Sequence, residues 1–148
     1  MTGTYALQIA AAAVGTLGFA VLFNTRGLKL LAATAGGTLA WAIFLAFNAL
    51  LANEALCYLI AALLISFYSE AMARLLKTPN TTFILTALVP LIPGGSLYYT
   101  MKYAFEKNAP QFKAQGLHTL LLAAALATGV ILATALVRTA KRFKKQDQ

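Results

Sequence analysis

Few residues in this 148-residue chain could carry chemistry, and they fall into two groups. Glu70 and Arg74 stand four apart, a spacing that puts both side chains on one helix face in the order that suits an ion pair. Further along, Pro90, Pro93, Gly94 and Gly95 interrupt an apolar stretch just ahead of Ser96 and Tyr98. Each proline lacks a backbone N–H, its ring crowds the carbonyl four residues back (Thr86 and Val89), and paired glycines add little helix propensity. The chain is expected to unwind there. A helix restarting near Ser96, with Ser96 as N-cap, would aim the N–H groups of Gly95, Ser96 and Leu97 and its positive dipole end at a ligand, an arrangement that suits a carboxylate. The alternative is a proline kink that only shapes a packed helix.

The remaining inventory is short. Cys57 is the single cysteine and reads as a packing thiol within an apolar run. His118 opens another such run and reads as interfacial rather than as a proton carrier. There is no Cys/His cluster with metal-ligand spacing, no phosphate-cradling glycine loop and no supported Ser/His/Asp set, so neither metal, cofactor nor catalytic residue is expected. With four acids in the chain, enzymatic acid–base work would fall to Glu70, His118 and Tyr98, the weakest of the readings. The net charge of +8 comes from basic residues scattered at segment ends without an aromatic–basic face, which argues against nucleic acid as a partner.

The elements that must position these groups are hydrophobic helices. At 60% hydrophobic and 11% charged residues, with mean hydropathy +0.74, the chain is an all-α integral membrane protein with the lipid bilayer as its solvent. A single membrane domain, 1–148, is expected, with about five transmembrane helices at 5–23, 28–47, 54–76, 81–101 and 117–137, the fourth broken at Pro90–Gly95, and a basic tail at 138–148. No Lys or Arg precedes Arg26, so the first run reads as a retained helix rather than a signal peptide. Gly15 and Gly18, Ala11 with Gly15, and the ridge Ala32, Gly36 and Ala40 predict close helix packing. Trp41 falls deeper than an interfacial belt needs and is expected against a partner helix or lipid. The polar stretch 102–115 reads as an interfacial loop or short surface helix with Pro110 as a breaker.

Irregular backbone at membrane depth survives only where protein buries it or it lines a polar cavity, which makes the fourth segment the expected binding site. Glu70 is either a solvated pair with Arg74 at headgroup level or a coupling group. With five crossings, nine of the twelve basic residues share one side, predicting a cytoplasmic C-terminus and an external N-terminus.

Ser69 to Arg74, Lys77-Thr78-Pro79, Pro90-Leu91-Ile92-Pro93-Gly94-Gly95 with Tyr98 and Met101, and the early Phe23-Asn24 turn together resemble the threonine/serine exporter family. The likeness covers nearly the whole chain and is closest to the short subunit of split members, which corresponds to the C-terminal membrane half of fused exporters. The resemblance implies a multi-pass protein of the bacterial inner membrane, in a proton-driven exporter of small hydroxy amino acids or of a dicarboxylate such as succinate. It also implies a larger membrane subunit as partner, and it places the substrate at Pro90, Pro93, Gly94 and Gly95 with Tyr98 just beyond. Two other readings are a structural or assembly subunit without its own site and a small multidrug-type homo-oligomer. The latter would need an acid deep in a span, whereas Glu70 lies near a helix end.

Overall fold

The computed structural model describes residues 2–146, which form α1 (Thr2–Leu22), α2 (Leu28–Leu50), α3 (Glu54–Leu75), α4 (Asn80–Leu88), α5 (Gly94–Phe105) and α6 (Ala109–Gln146), with a 3₁₀ turn at Val89–Leu91. The chain is thus all-α. Four helices, α1, α2, α3 and α6, are long and apolar enough to cross a membrane. Asn80–Leu91 and α5 form a bent pair, 57° at the break, that supplies a fifth crossing if it is one span.

The turns follow local chemistry. Asn24, Lys77 and Lys107 take positive φ after α1, α3 and α5, and in each case the next residue's N–H reaches back five residues, to Ala20, Ala73 and Tyr103. This closure satisfies carbonyls that a helix end would otherwise leave without donors. Asn53 caps α3, its Oδ1 accepting from the Leu56 N–H. At α6 the expectation of a breaker fails. Pro110 is the second residue of the helix, where its missing N–H has no intrahelical acceptor to lose, and Asn108 Oδ1 accepts from Gln111 N–H beside it. Stretch 102–115 is accordingly helix on both sides of a short turn, and the basic tail continues α6 through residue 146.

Small residues set the helix spacing. A Cβ on Gly37 would collide with the Thr16 hydroxyl of α1, and one on Gly36 would sit 2.9 Å from the Tyr68 ring of α3 and 3.3 Å from Ala87 of α4. Gly129 of α6 approaches α3 most closely, where a Cβ would lie 2.5 Å from the Leu59 carbonyl oxygen and 2.9 Å from Ala62. Two buried clusters form, one around Ala20, Ala33, Ala73 and Phe83, the other from Ala40 through Cys57, Ile65, Leu91 and Leu122. Trp41 stacks on Phe44 at 5.0 Å, and Phe44 on Tyr58 at 4.7 Å, so this indole belongs to a helix interface. Gly15 and Gly18 depart from expectation, since none of the described residues of the other helices lies within 4 Å of a Cβ at either one. No residue of α5 is buried, and this helix packs chiefly along α6.

The contrast between glycines is testable. Gly129→Ala should destabilise the detergent-solubilised protein by roughly 1–3 kcal/mol, because the new methyl meets backbone that cannot yield, while Gly15→Ala should change it by no more than about 0.5 kcal/mol. Equal thermal midpoints for the two variants would contradict this packing.

Candidate functional site

The two prolines remove N–H donors from Thr86 O and Val89 O, and the chain replaces both. Val89 N–H turns to Thr86 O, and Ile92 N–H reaches Val89 O at 3.3 Å. Gly94 N–H then bonds Ile92 O at 2.6 Å, and Leu97 N–H bonds Pro93 O at 3.0 Å as α5 begins. Pro93, not Ser96, holds the N-cap position, with φ −73° and ψ 58° and no side-chain cap. Of the three amides expected to be free, Leu97 is therefore taken. Gly95 and Ser96 retain N–H groups without a backbone acceptor among the described residues, as the first turn of a helix must.

Ser96 instead faces α6. Its Oγ lies 2.8 Å from Thr119 Oγ1 and accepts from Gln115 Nε2 at 2.9 Å, while Thr100 Oγ1 stands 3.0 Å from Thr119 Oγ1 and donates to Ser96 O. Thr119 Oγ1 also donates to Gln115 O. One helix turn separates Ser96 from Thr100 and Gln115 from Thr119, so two polar steps on α5 meet two on α6. The paired spacing was legible in the sequence, but the meeting of the helices was not.

The other expected site residues do not converge within this chain. Space around Gly94 and Gly95 is open, and Tyr98 is exposed, edge-on to Tyr99 at 5.4 Å. Pro90 borders a cavity of about 260 Å³ with Gln8, Ala11, Ala12 and Trp41, and Gln8 Oε1 is buried there without a hydrogen-bond partner among the described residues. Gln8 stands in an alanine-rich first span with no motif to mark it.

Matching of the chain to known families decides what these features belong to. The profile described as Threonine/Serine exporter, ThrE, matches residues 8–136. The chain belongs to the threonine/serine exporter family. No curated protein and no solved structure matches it.

In this exporter the ion pair expected between Glu70 and Arg74 is present, Arg74 Nε to Glu70 Oε1 at 3.1 Å, with Arg74 55% exposed and Glu70 only 18%. Glu70 also borders a cavity of about 400 Å³ between α3, α4 and α6, together with Ser66, Asn80, Thr134 and Arg138. Those four polar residues escaped the sequence reading. The only signal for them is the four-residue step that Ser66 shares with Glu70 and Thr134 with Arg138. His118 Nε2 lies 3.2 Å from Glu54 Oε2, each side chain 43% exposed, tying the start of α3 to α6 outside the packed core. Cys57 is buried, its thiol donating to Asn53 O.

The link between Ser96 and Thr119 should be measurable. A double-mutant cycle with Ser96→Ala and Thr119→Val should return a coupling of about 0.6 kcal/mol, up to ~1.7, the range found for hydrogen bonds between membrane helices. A coupling of zero would mean that the contact between Ser96 and Thr119 contributes nothing to holding α5 on α6.

Proposed function

We propose that this chain is the membrane subunit of a secondary exporter of small carboxylate-bearing metabolites, threonine and serine or a dicarboxylate such as succinate, and that the unwound segment around Pro90, Pro93, Gly94 and Gly95 holds the carboxylate. One observation carries this reading: a helix restarts inside an apolar segment with the Gly95 and Ser96 N–H groups unclaimed and open space beside both glycines. A helix N-terminus with unpaired amides favours an anionic group, and broken helices recur as substrate sites in transporters. Tyr98, one turn beyond, would border the bound molecule.

The open space also favours a second chain. The glycine face of α1 and the face of α5 turned away from α6 lack cover among the described residues, and irregular backbone exposed to lipid is costly. We assign that cover to a larger membrane subunit of the same family, which completes the site. Five crossings place Arg26, Lys29, Arg74, Lys77 and the tail on one side, which the positive-inside rule makes the cytoplasmic side of a bacterial inner membrane. Export against a gradient needs coupling, and Glu70 is the acid available to carry the proton.

A structural subunit without its own site is the competing reading, favoured by the close packing of α1 on α2 and of α3 on α6. Efflux separates the two. Cells preloaded with labelled threonine or labelled succinate should lose one of them only when this chain and its larger partner are both expressed. Gly95→Leu should abolish that efflux while the two chains still co-purify, because a Cβ at this position meets no described residue within 4 Å. Full efflux by Gly95→Leu would leave the structural reading standing.

A further inference from the structure

Helix α6 outruns the membrane. Its apolar part, residues 117–137, covers about 31 Å at 1.5 Å per residue, which matches a hydrocarbon core, yet the helix continues unbroken through Gln146. Arg138 is the first charge after that apolar run, so it stands where hydrocarbon gives way to headgroups. Up to residue 140 the chain has three arginines. Arg26 Nε donates to Asn24 Oδ1 and Arg74 Nε to Glu70 Oε1, whereas Arg138 is exposed and makes no hydrogen bond or ion pair among the described residues. What it borders instead is a groove of about 470 Å³ along α6, shared with Val130, Ile131, Thr134, Ala135 and Thr139. Ile131 and Ala135 lie seven and three residues before Arg138, a spacing that stacks all three on one helix face. The groove is therefore apolar towards the membrane core and cationic at its rim, with no acid among its described lining. Glu70 borders the separate cavity that Arg138 also touches, which leaves the α6 groove as the side open to an anion.

A guanidinium pairs best with a planar, bidentate match such as a carboxylate or a phosphate, and at headgroup level the abundant anion is a lipid phosphodiester. A soluble anion would leave Ile131 and Ala135 uncovered, whereas a phospholipid brings an acyl chain to lie over them. Beyond Arg138 the helix carries Lys141, Arg142 and Lys145, three, four and seven residues on, positions that return to the same face. A zwitterionic lipid would bring its own cation to this basic face, and an anionic lipid would not. We propose that an anionic phospholipid binds along α6 on the side of the membrane that bears the tail, its phosphodiester on Arg138 and an acyl chain over Ile131 and Ala135. The lipid fixes the depth of α6 in the bilayer, and with it α5, which packs chiefly along α6. The site shares no residue with the helix break, so it stands or falls apart from the proposed transport.

The test is native mass spectrometry of the full chain in neutral detergent, titrated with phosphatidylglycerol and with phosphatidylcholine of the same acyl chains. Phosphatidylglycerol should be retained about tenfold better. Arg138→Gln should reduce that preference at least threefold, while Lys77→Gln, which removes the same charge from an exposed position outside the groove, should leave it in place. Equal retention of the two lipids would overturn the assignment, as would an unchanged preference in Arg138→Gln or an equal loss in both variants. Displacement of the lipid by millimolar glycerol 3-phosphate would overturn it too, since the groove would then be a site for free phosphate esters.

Discussion

In a hydrocarbon medium every backbone N–H and C=O has to find its partner within the protein, and each one left over costs several kcal/mol. The segment at 89–93 is where this chain comes closest to violating that requirement. It recovers by tightening: Val89 and Ile92 turn their N–H groups to the carbonyls that the prolines abandon, and Gly94 closes the segment on Ile92. Among the groups that remain over are the amides of Gly95 and Ser96, at the mouth of a new helix and beside open space. The break is thus accommodated on its α4 side and chemically unfinished on its α5 side.

The rest of the bundle is organised to hold that break in place. Gly36 lets α2 touch both Tyr68 and Ala87, and Tyr68 donates to Ala32 O across the same contact, so α4 is pinned directly ahead of the prolines. Leu91, fully buried in the cluster with Ala87 and Leu122, anchors the 3₁₀ turn itself. Beyond it the protein changes character. Helix α5 has no buried residue and is tied to α6 by the hydroxyls and amide of Ser96, Thr100, Gln115 and Thr119, while α6 is fastened to α3 at Gly129. A rigid half that fixes the prolines and a lightly held half that bears the glycines meet at the proposed carboxylate site.

The break was legible because proline and glycine act on their own neighbours, so local sterics suffice. Helical membrane character was legible for the same reason, being a property of composition. Ser96 was misplaced because capping propensity could not foresee that Pro93, its φ already set, would take the N-cap and free the serine for Thr119. The same residue type at Pro110 was misread as a breaker because its effect depends on where the helix starts. Small residues were ambiguous: Gly36 packs as expected, Gly15 and Gly18 do not, and the four-residue spacing is alike in both helices. Asn80, Ser66, Thr134 and Arg138 come from three helices whose crossing no local pattern encodes. Their convergence on Glu70 appears only in three dimensions.

The central claim is that the glycines past the break line an aqueous, substrate-bearing space. The most direct measurement is labelling of Gly95→Cys by a membrane-impermeant maleimide in a Cys57→Ala background, with and without threonine, in membranes containing the larger subunit. The account predicts that the thiol reacts from the aqueous phase and that saturating substrate slows the reaction. A thiol that stays unreactive from both sides, or that reacts at one rate whether or not substrate is present, would contradict it.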